Sequence, residues 1–322
     1  MTTYKEIFGK YVKNYSSDPS SDIEGQVWYN STSGTFKSQV SGGGAWASGG
    51  NLNTARFSFA GCGTQTAGLG FGGFDGSNNL TATEKYNGSA WTASGNLNTA
   101  RREFAGAGIQ TAGLGFGGFS TANTGATEEF DGSTWTNGGS LSTARRGTGG
   151  AGIQTAGLAF GGFSTAVTNI TEEYDGSSWT AGGNLNTTRR LLAGAGTQTV
   201  GLGFGGYTGT VVSNATEEYD GSAWTTSGNL NTARKALAGC GTQTAALGFA
   251  GEITVDSAAT EEYNGSTWSN ASNMATARRS LAIGGAGTQT AGLGFGGYGG
   301  GVSAATEEFT NPTLVVQTIT TS

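Results

Sequence analysis

The sequence predicts an all-β protein, a six-bladed β-propeller with four antiparallel strands per blade, on three observations. Tryptophan recurs at a fixed interval, glycine punctuates short strands of alternating character, and aromatic content is too high for a disordered chain. Trp46, Trp91, Trp135, Trp179, Trp224 and Trp268 are separated by 45, 44, 44, 45 and 44 residues. A period of this length with one Trp per unit and several short strands marks a propeller blade. Of 322 residues 61 are Gly and only 2 are Pro, with 10% aromatics. That excludes a collagen-like strand and leaves large side chains to bury.

Each unit reads in the same order. The Trp strand leads into a variant of Gly-Asn-Leu-Asn-Thr-Ala-Arg, which sets Arg56, Arg101, Arg145, Arg189, Arg234 and Arg278 in register. Next come two strands joined by a tight turn, read in the first unit as Ala-Gly-Cys-Gly-Thr-Gln-Thr-Ala-Gly-Leu-Gly-Phe-Gly-Gly over residues 60–73. Leu69 and Phe71 alternate with glycine, the period-2 mark of a strand with one buried face. A variable loop follows, then Ala-Thr-Glu-Glu-Tyr-Asp-Gly-Ser, as in residues 215–222. Its Asp-Gly or Asn-Gly pair signals a hairpin into the next Trp strand. Gly and Ala suit inner strands that crowd near an axis, while Trp, Tyr and Phe fill the widening gap outside. Burying each Trp contributes about 2–3 kcal/mol.

The chain enters the repeat on a Trp strand at Trp46 and leaves it after Phe309 with no Trp to follow. The Trp46 strand is therefore expected to complete the last blade, since closure leaves no naked edge. This divides the chain into an N-terminal extension (1–45), a propeller (46–309) and a C-terminal tail strand (310–322). A seven-bladed alternative arises if the strand-like segments Val27–Val40 and Thr313–Thr321 pair as an extra blade.

Chemistry is narrowed by what is missing. There is no His, and Cys62 and Cys240 have no metal-ligand spacing, which removes imidazole bases, the usual nucleophile pairs and most metal sites, so no cofactor is expected. The two Cys occupy the position held elsewhere by Ala107, Ala195 or Ala286 and read as free thiols, two blades apart and out of disulfide reach. Gly-x-Gly runs such as Gly106-Ala107-Gly108 read as inner strand, because neither a Lys-Ser/Thr nor a helix follows. The pairs Glu128-Glu129, Glu172-Glu173, Glu217-Glu218, Glu261-Glu262 and Glu307-Glu308 have the composition of a glycosidase dyad. Neighbours on a strand face opposite ways, however. We expect one Glu of each pair to meet the repeating Arg across adjacent blades, and the chain not to be an enzyme. A net charge of −6 disfavours nucleic acid. No apolar run is long enough for a membrane helix, and the start Met1-Thr-Thr-Tyr-Lys-Glu lacks the order of a secretory signal. Sequons such as Asn87-Gly88-Ser89 read as turns.

The units differ most in Phe74–Thr81, Phe119–Gly125, Phe163–Asn169, Tyr207–Asn214, Glu252–Ala258 and Tyr298–Ala304. Strand direction places these loops on one rim with Arg102, Arg146, Arg190, Lys235 and Arg279. Variable sequence and positive charge together make this rim the candidate binding face, with Phe74, Asn78, Phe119, Asn123, Phe163, Asn169, Tyr207, Asn214, Ile253, Asp256 and Tyr298 beside the five cations. The six Trp and the six aligned Arg are expected to be structural.

The order Gly205-Gly206, Tyr219, Trp224 and Arg234 resembles the kelch repeat, over about residues 46–309; Ala250-Gly251 departs from it in the fifth unit. A second resemblance lies in Asp18-Pro19 and Glu24-Gly25-Gln26-Val27-Trp28-Tyr29-Asn30-Ser31. With the opening Met1-Thr-Thr-Tyr-Lys-Glu-Ile and the closing Thr-Ile-Thr-Thr-Ser, it is similar to kelch-like structural and tail-fibre proteins of tailed marine bacteriophages. The resemblance implies a virion component, made in the host cytoplasm, at the tail or capsid surface. It would dock to other virion proteins through its N-terminal segment, whose charges include Lys5, Lys10, Lys13 and Lys37, and would present loops to host-surface glycan or receptor. Copies could also associate with one another. The rival readings are a cellular kelch module binding protein or carbohydrate, and an enzyme akin to the kelch-bladed copper oxidases, whose copper site uses His.

Overall fold

The alternation Leu-Gly-Phe-Gly in each unit has a packing cause beyond crowding at an axis. In the first sheet Phe71 leans toward the second, where its ring meets Trp135 at 4.6 Å between centroids. A Cβ added to Gly113 of the second sheet would lie 2.8 Å from Leu69 Cδ2, and one on Gly115 would lie 2.8 Å from Phe71 Cε2. Large residues on one face of a sheet thus need glycine on the facing side of the next. In the computed structural model, which describes residues 12–19, 26–40, 44–282, 286–311 and 315–319, this pattern builds six four-stranded antiparallel sheets.

The first sheet runs Ala60–Thr64, Ala67–Phe71, Thr83–Tyr86 and Trp91–Ser94, and the second Ala105–Ile109, Ala112–Phe116, Thr127–Phe130 and Trp135–Gly138. The third, fourth and fifth repeat this order from Gly149, Ala193 and Ala238. The sixth holds Ala286–Gly287, Ala291–Phe295 and Thr306–Thr310, and takes its fourth strand from the start of the repeat: Ala45–Ser48 pairs antiparallel with Thr306–Thr310, Trp46 opposite Phe309. The result is an all-β, propeller-like array of repeated sheets.

One set of contacts joins each sheet to the one before it. Trp135 Nε1 donates to Thr83 Oγ1 at 2.9 Å, Trp179 to Thr127 at 2.9 Å, and Trp224 to Thr171 at 2.9 Å. The first sheet makes this contact to the sixth, Trp91 to Thr306 at 3.0 Å. A second set lies where each sheet begins. Ser58, Glu103, Gly147, Leu191, Ala236 and Ser280 all have φ between +52° and +62°. Each donates its backbone N–H to the carbonyl of the preceding member, and Ser58 donates to Ser280 at 2.8 Å. Five of the six are not glycine, so each holds a left-handed conformation that costs about 1–2 kcal/mol. The first strands of all six sheets converge on a cavity of about 130 Å³, lined by Gly63, Gly108, Gly152, Gly196, Gly241 and Gly287 among others.

The Gly-Gly pair that ends each second strand turns the chain with positive φ, +66° at Gly72 and +99° at Gly73. Where the fifth unit carries Ala250 the same turn forms, with Ala250 at φ +60°.

Two compact units divide the chain. Ala45–Thr310 is one compact unit; Met1–Gly44 and Asn311–Ser322 together form a second. The two ends combine because Val315–Thr318 pairs with Thr35–Val40, which pairs with Val27–Asn30, beside which Lys13–Tyr15 runs parallel. The pairing behind the seven-bladed alternative therefore exists, but in a compact unit of its own; parts of Thr313–Thr321 lie outside the described residues. Within this unit Trp28 is fully buried, and Asp18 accepts hydrogen bonds from Trp28 Nε1 at 3.1 Å and Asn30 Nδ2 at 2.7 Å.

Candidate functional site

Strand direction places two kinds of connection on one rim of Ala45–Thr310: the loops between second and third strands, and the links from each fourth strand to the next sheet. The two are joined by backbone bridges, Arg102 to Phe119, Arg146 to Phe163, Arg190 to Tyr207, Lys235 to Glu252 and Arg279 to Tyr298. This loop rim is organised around two successive residues in each link.

The first is the aligned Arg. A buried Leu, such as Leu52 or Leu97, anchors five of the links and Met274 the sixth, and the Arg that follows is fully buried. Arg56 donates to the carbonyls of Gly72 at 3.1 Å and Ala82 at 2.6 Å, and its Nη2 lies 2.6 Å from Glu84 Oε1. The other oxygen of Glu84 accepts the backbone N–H of Asn53 at 2.7 Å. Ion pairs of this kind recur at Arg101 with Glu128 (3.1 Å), Arg145 with Glu172, Arg189 with Glu217 (2.7 Å), Arg234 with Glu261 (2.9 Å) and Arg278 with Glu307 (2.7 Å). Burial pulls these guanidinium pKa values down, and the carboxylate partly restores them.

The expected route of these pairs is corrected in one respect. Each Arg reaches the Glu on the third strand of the sheet its link enters, not that of an adjacent sheet. The inter-sheet contact belongs to the second Glu of the pair, Glu129, Glu173, Glu218 and Glu308, and its partner is Tyr; in the sheet that follows Glu262 that place is held by Phe309. Tyr219 Oη donates to Glu173 at 2.5 Å, Tyr263 to Glu218 at 2.5 Å, Tyr86 to Glu308 at 2.5 Å, and Tyr174 to Glu129. Burial, then the adjacent carboxylate, pushes Tyr86, Tyr219 and Tyr263 up to about 12. In the second sheet Phe130 replaces Tyr and offers no hydroxyl. There the first sheet carries Lys85 instead of the second Glu, with Nζ 5.3 Å from the Phe130 ring centre and donating to Gly132 O. A cation over an aromatic face replaces a carboxylate beside a phenol.

The residue after the aligned Arg builds the rim itself. Arg102 lies between Phe74 (4.5 Å to the ring centre) and Phe119 (5.2 Å), Arg146 between Phe119 (4.9 Å) and Phe163 (5.4 Å), and Arg190 between Phe163 (5.1 Å) and Tyr207 (5.5 Å). Lys235 sits 5.2 Å from Tyr207 and 3.3 Å from Glu252; Arg279 sits 4.9 Å from Tyr298, 3.5 Å from Glu252 and 2.7 Å from Asp256. Phe57, in the place of the cation in the first link, meets Phe74 and Tyr298, each at 5.5 Å. The series runs round all six links, broken chemically at the fifth loop, where Glu252 stands for an aromatic.

Most of the candidate rim residues are thus brought together. Asn123, Asn169 and Asn214 have other work: Asn123 donates to the Phe163 and Ser164 carbonyls of the next loop, Asn169 to Leu185 O and Asn214 to Leu230 O. Asn78 is exposed at a turn capped by Asp75, and Ile253 is exposed. The sequence reading missed the glutamine of each first hairpin turn. Gln154 donates to the carbonyls of Gly113 at 3.1 Å and Phe130 at 2.7 Å in the preceding sheet, and Gln65, Gln110, Gln198, Gln243 and Gln289 do likewise. Its signal was its presence at one position in all six units.

Cys62 and Cys240 are buried free thiols, pushed up to about 12 by burial. Cys62 Sγ points at Ile109 O (3.7 Å) and Cys240 Sγ at Thr288 O (3.4 Å), each between its own sheet and the next. Such thiols are poor nucleophiles. Among the described residues no group of three or more His, Cys, Asp or Glu could hold a metal ion, and no helix is long and apolar enough to cross a membrane. No protein-family model matches the chain, and a search of curated proteins found no match.

Proposed function

We propose that Ala45–Thr310 is a closed six-bladed propeller of the kelch kind, and that the chain is a non-enzymatic structural or adhesion component of a tailed-phage particle. Closure is supported by the first sheet making to the sixth the Trp–Thr and backbone contacts that every other sheet makes to its predecessor. A binding role is supported above all by the loop rim, where arginines held between aromatic rings form a fixed, partly exposed surface under loops of differing sequence. The first glutamates of the carboxylate pairs are committed to Arg and backbone N–H partners, and Glu129, Glu173, Glu218 and Glu308 to Tyr. The terminal unit then serves as the attachment to other virion proteins, and the rim faces host glycan, receptor or a neighbouring subunit.

The test is a chain in which all six loops carry the Phe163–Asn169 sequence. Labelled protein of this kind should melt as the parent does yet lose binding to host cells, while peptides of the parent chain should appear in mass spectra of purified particles. Undiminished cell binding would remove the recognition role; absence from particles would remove the virion role.

A further inference from the structure

Near-identical repeats act as their own control, because a residue that one sheet needs for folding should be needed by all. The opposite rim carries the hairpin turns, and two positions there break the repeat in the same three sheets. At the first turn the second, third and fourth sheets expose Ile109 (52%), Ile153 (53%) and Val200 (45%). The first, fifth and sixth hold Thr64 and Ala67, Thr242 and Ala245, Thr288 and Ala291 in those places. Val200 faces Thr197 across its turn, so it lies on the face that Ile109 and Ile153 occupy in their own sheets. At the second turn the same three sheets carry Asp131, Asp175 and Asp220, where the first and fifth carry Asn87 and Asn264.

Neither substitution is required locally. Asn87 Oδ1 accepts the N–H groups of Ser89 at 3.0 Å and Ala90 at 2.9 Å, as Asp131 Oδ1 accepts those of Ser133 and Thr134 at 2.7 Å. The turn forms without the charge, and the hairpin forms with Thr. In the second to fourth sheets the two turns also lie close together: a Cβ on Gly132 would lie 3.4 Å from Thr111 O, and one on Gly221 3.4 Å from Thr199 Cβ. The second to fourth sheets therefore present an apolar arc bordered by carboxylates, with Lys85 the cation that reaches its edge at Gly132.

The loop rim of the same three sheets has the opposite sign. It carries Arg102, Arg146 and Arg190 against one carboxylate, Glu103, 3.4 Å from Arg146. In the fifth and sixth sheets Lys235 and Arg279 are neutralised by Glu252 and Asp256, and the first sheet has Phe57 in place of the cation. The fourth sheet adds an exposed Val211 (60%) to this rim.

We propose that a second copy of this chain docks head to tail on this surface, its arginine arc over the Asp131, Asp175 and Asp220 arc and its loop rim over Ile109, Ile153 and Val200. Charge complementarity selects this occupant: acidic and basic arcs lie on opposite rims of the same sheets, so a copy displaced along the axis of the proposed propeller sets arcs of opposite charge over the same three sheets. Such a contact is heterologous, each copy using one face for each neighbour, and extends into short columns rather than a closed dimer. It does not depend on the loop rim also binding a host ligand.

Sedimentation velocity on the full chain tests this, using on the hairpin rim substitutions that borrow residues already present in sister sheets. The parent should sediment faster as its concentration rises, and added salt should weaken the effect. Asp131→Asn with Asp175→Asn and Asp220→Asn, or Ile109→Thr with Ile153→Thr and Val200→Ala, should weaken association by about tenfold or more. Arg102→Gln with Arg146→Gln and Arg190→Gln should do the same from the other rim. Mixing the aspartate variant with the arginine variant should give heterodimers and nothing larger, since each keeps one working rim. A parent that stays monomeric, association that ignores both sets of substitutions, or a mixture that fails to pair would overturn the proposal.

Discussion

Arg101 and Arg102 are neighbours in sequence and opposites in circumstance. Arg101 is fully buried, locked to Glu128 and to the carbonyls of Gly117 and Ala126. Arg102 is half-buried between two phenylalanine rings, with a polar contact to Asn79 at 3.3 Å. The same juxtaposition recurs at Arg145 and Arg146, Arg189 and Arg190, and Arg278 and Arg279. One member of each couple is part of the interior, and the other is a surface whose neighbours are free to vary. Side-chain chemistry is identical in the two, so desolvation is what separates a residue that holds the fold from one that can serve binding.

The sharpest way to break this contrast is to truncate the inner member. Arg189→Ala leaves Glu217 buried without its cation, and removing one partner of such a pair costs about 3–5 kcal/mol. Urea denaturation of the variant should show that loss; a change below about 1 kcal/mol would place Glu217 in contact with solvent.

An intermediate effect is expected between sheets. Tyr174→Phe removes the hydroxyl that Glu129 accepts from, at about 1.5–3 kcal/mol for a hydrogen bond to a charged group. Adding Glu129→Lys recreates the Lys85 and Phe130 arrangement of the first two sheets and should recover much of the loss. A double-mutant cycle with no coupling would mean that the natural Lys85 replacement is incidental.

The smallest effect belongs to the outer member. Arg190→Gln forfeits stacking on Phe163 and Tyr207, about 0.5–1 kcal/mol at a partly exposed site. The melting curve should barely move, and the difference from Arg189→Ala measures what burial adds to the same side chain.

The sequence displayed the repeat plainly because six copies align with one another, so strand order, the Trp positions and the division of Arg into aligned and rim members could be read directly. Alternation also showed that the two glutamates of each pair face opposite ways. Which one met Arg could not be read, because pairing depends on the path of a link that enters a sheet from its loop rim. A clue lay in the exceptions: Lys85 replaces a second Glu, never a first, and the unit that follows it carries Phe130 for Tyr, although Phe309 replaces Tyr after an intact Glu262. The left-handed residues were invisible for a different reason. Ser58, Glu103, Leu191, Ala236 and Ser280 span four residue types with no common side-chain chemistry, and what fixes them is a backbone hydrogen bond to a neighbouring sheet. Among the candidate rim residues, Asn123, Asn169 and Asn214 could not be told from solvent-facing amides, because side chains that tie a loop to a neighbouring loop or link vary in place as freely.

The pairing of Ala45–Ser48 with Thr306–Thr310 also sets a timetable. During synthesis the strand bearing Trp46 leaves the ribosome ahead of every sheet, yet its partner emerges only after some 260 further residues have been added (Thr310 against Ala45). Until then the first sheet exposes the faces of Gly68 and Gly70, which Leu293 and Phe295 eventually cover. A nascent chain stalled before Thr306 should therefore be the form most in need of a chaperone.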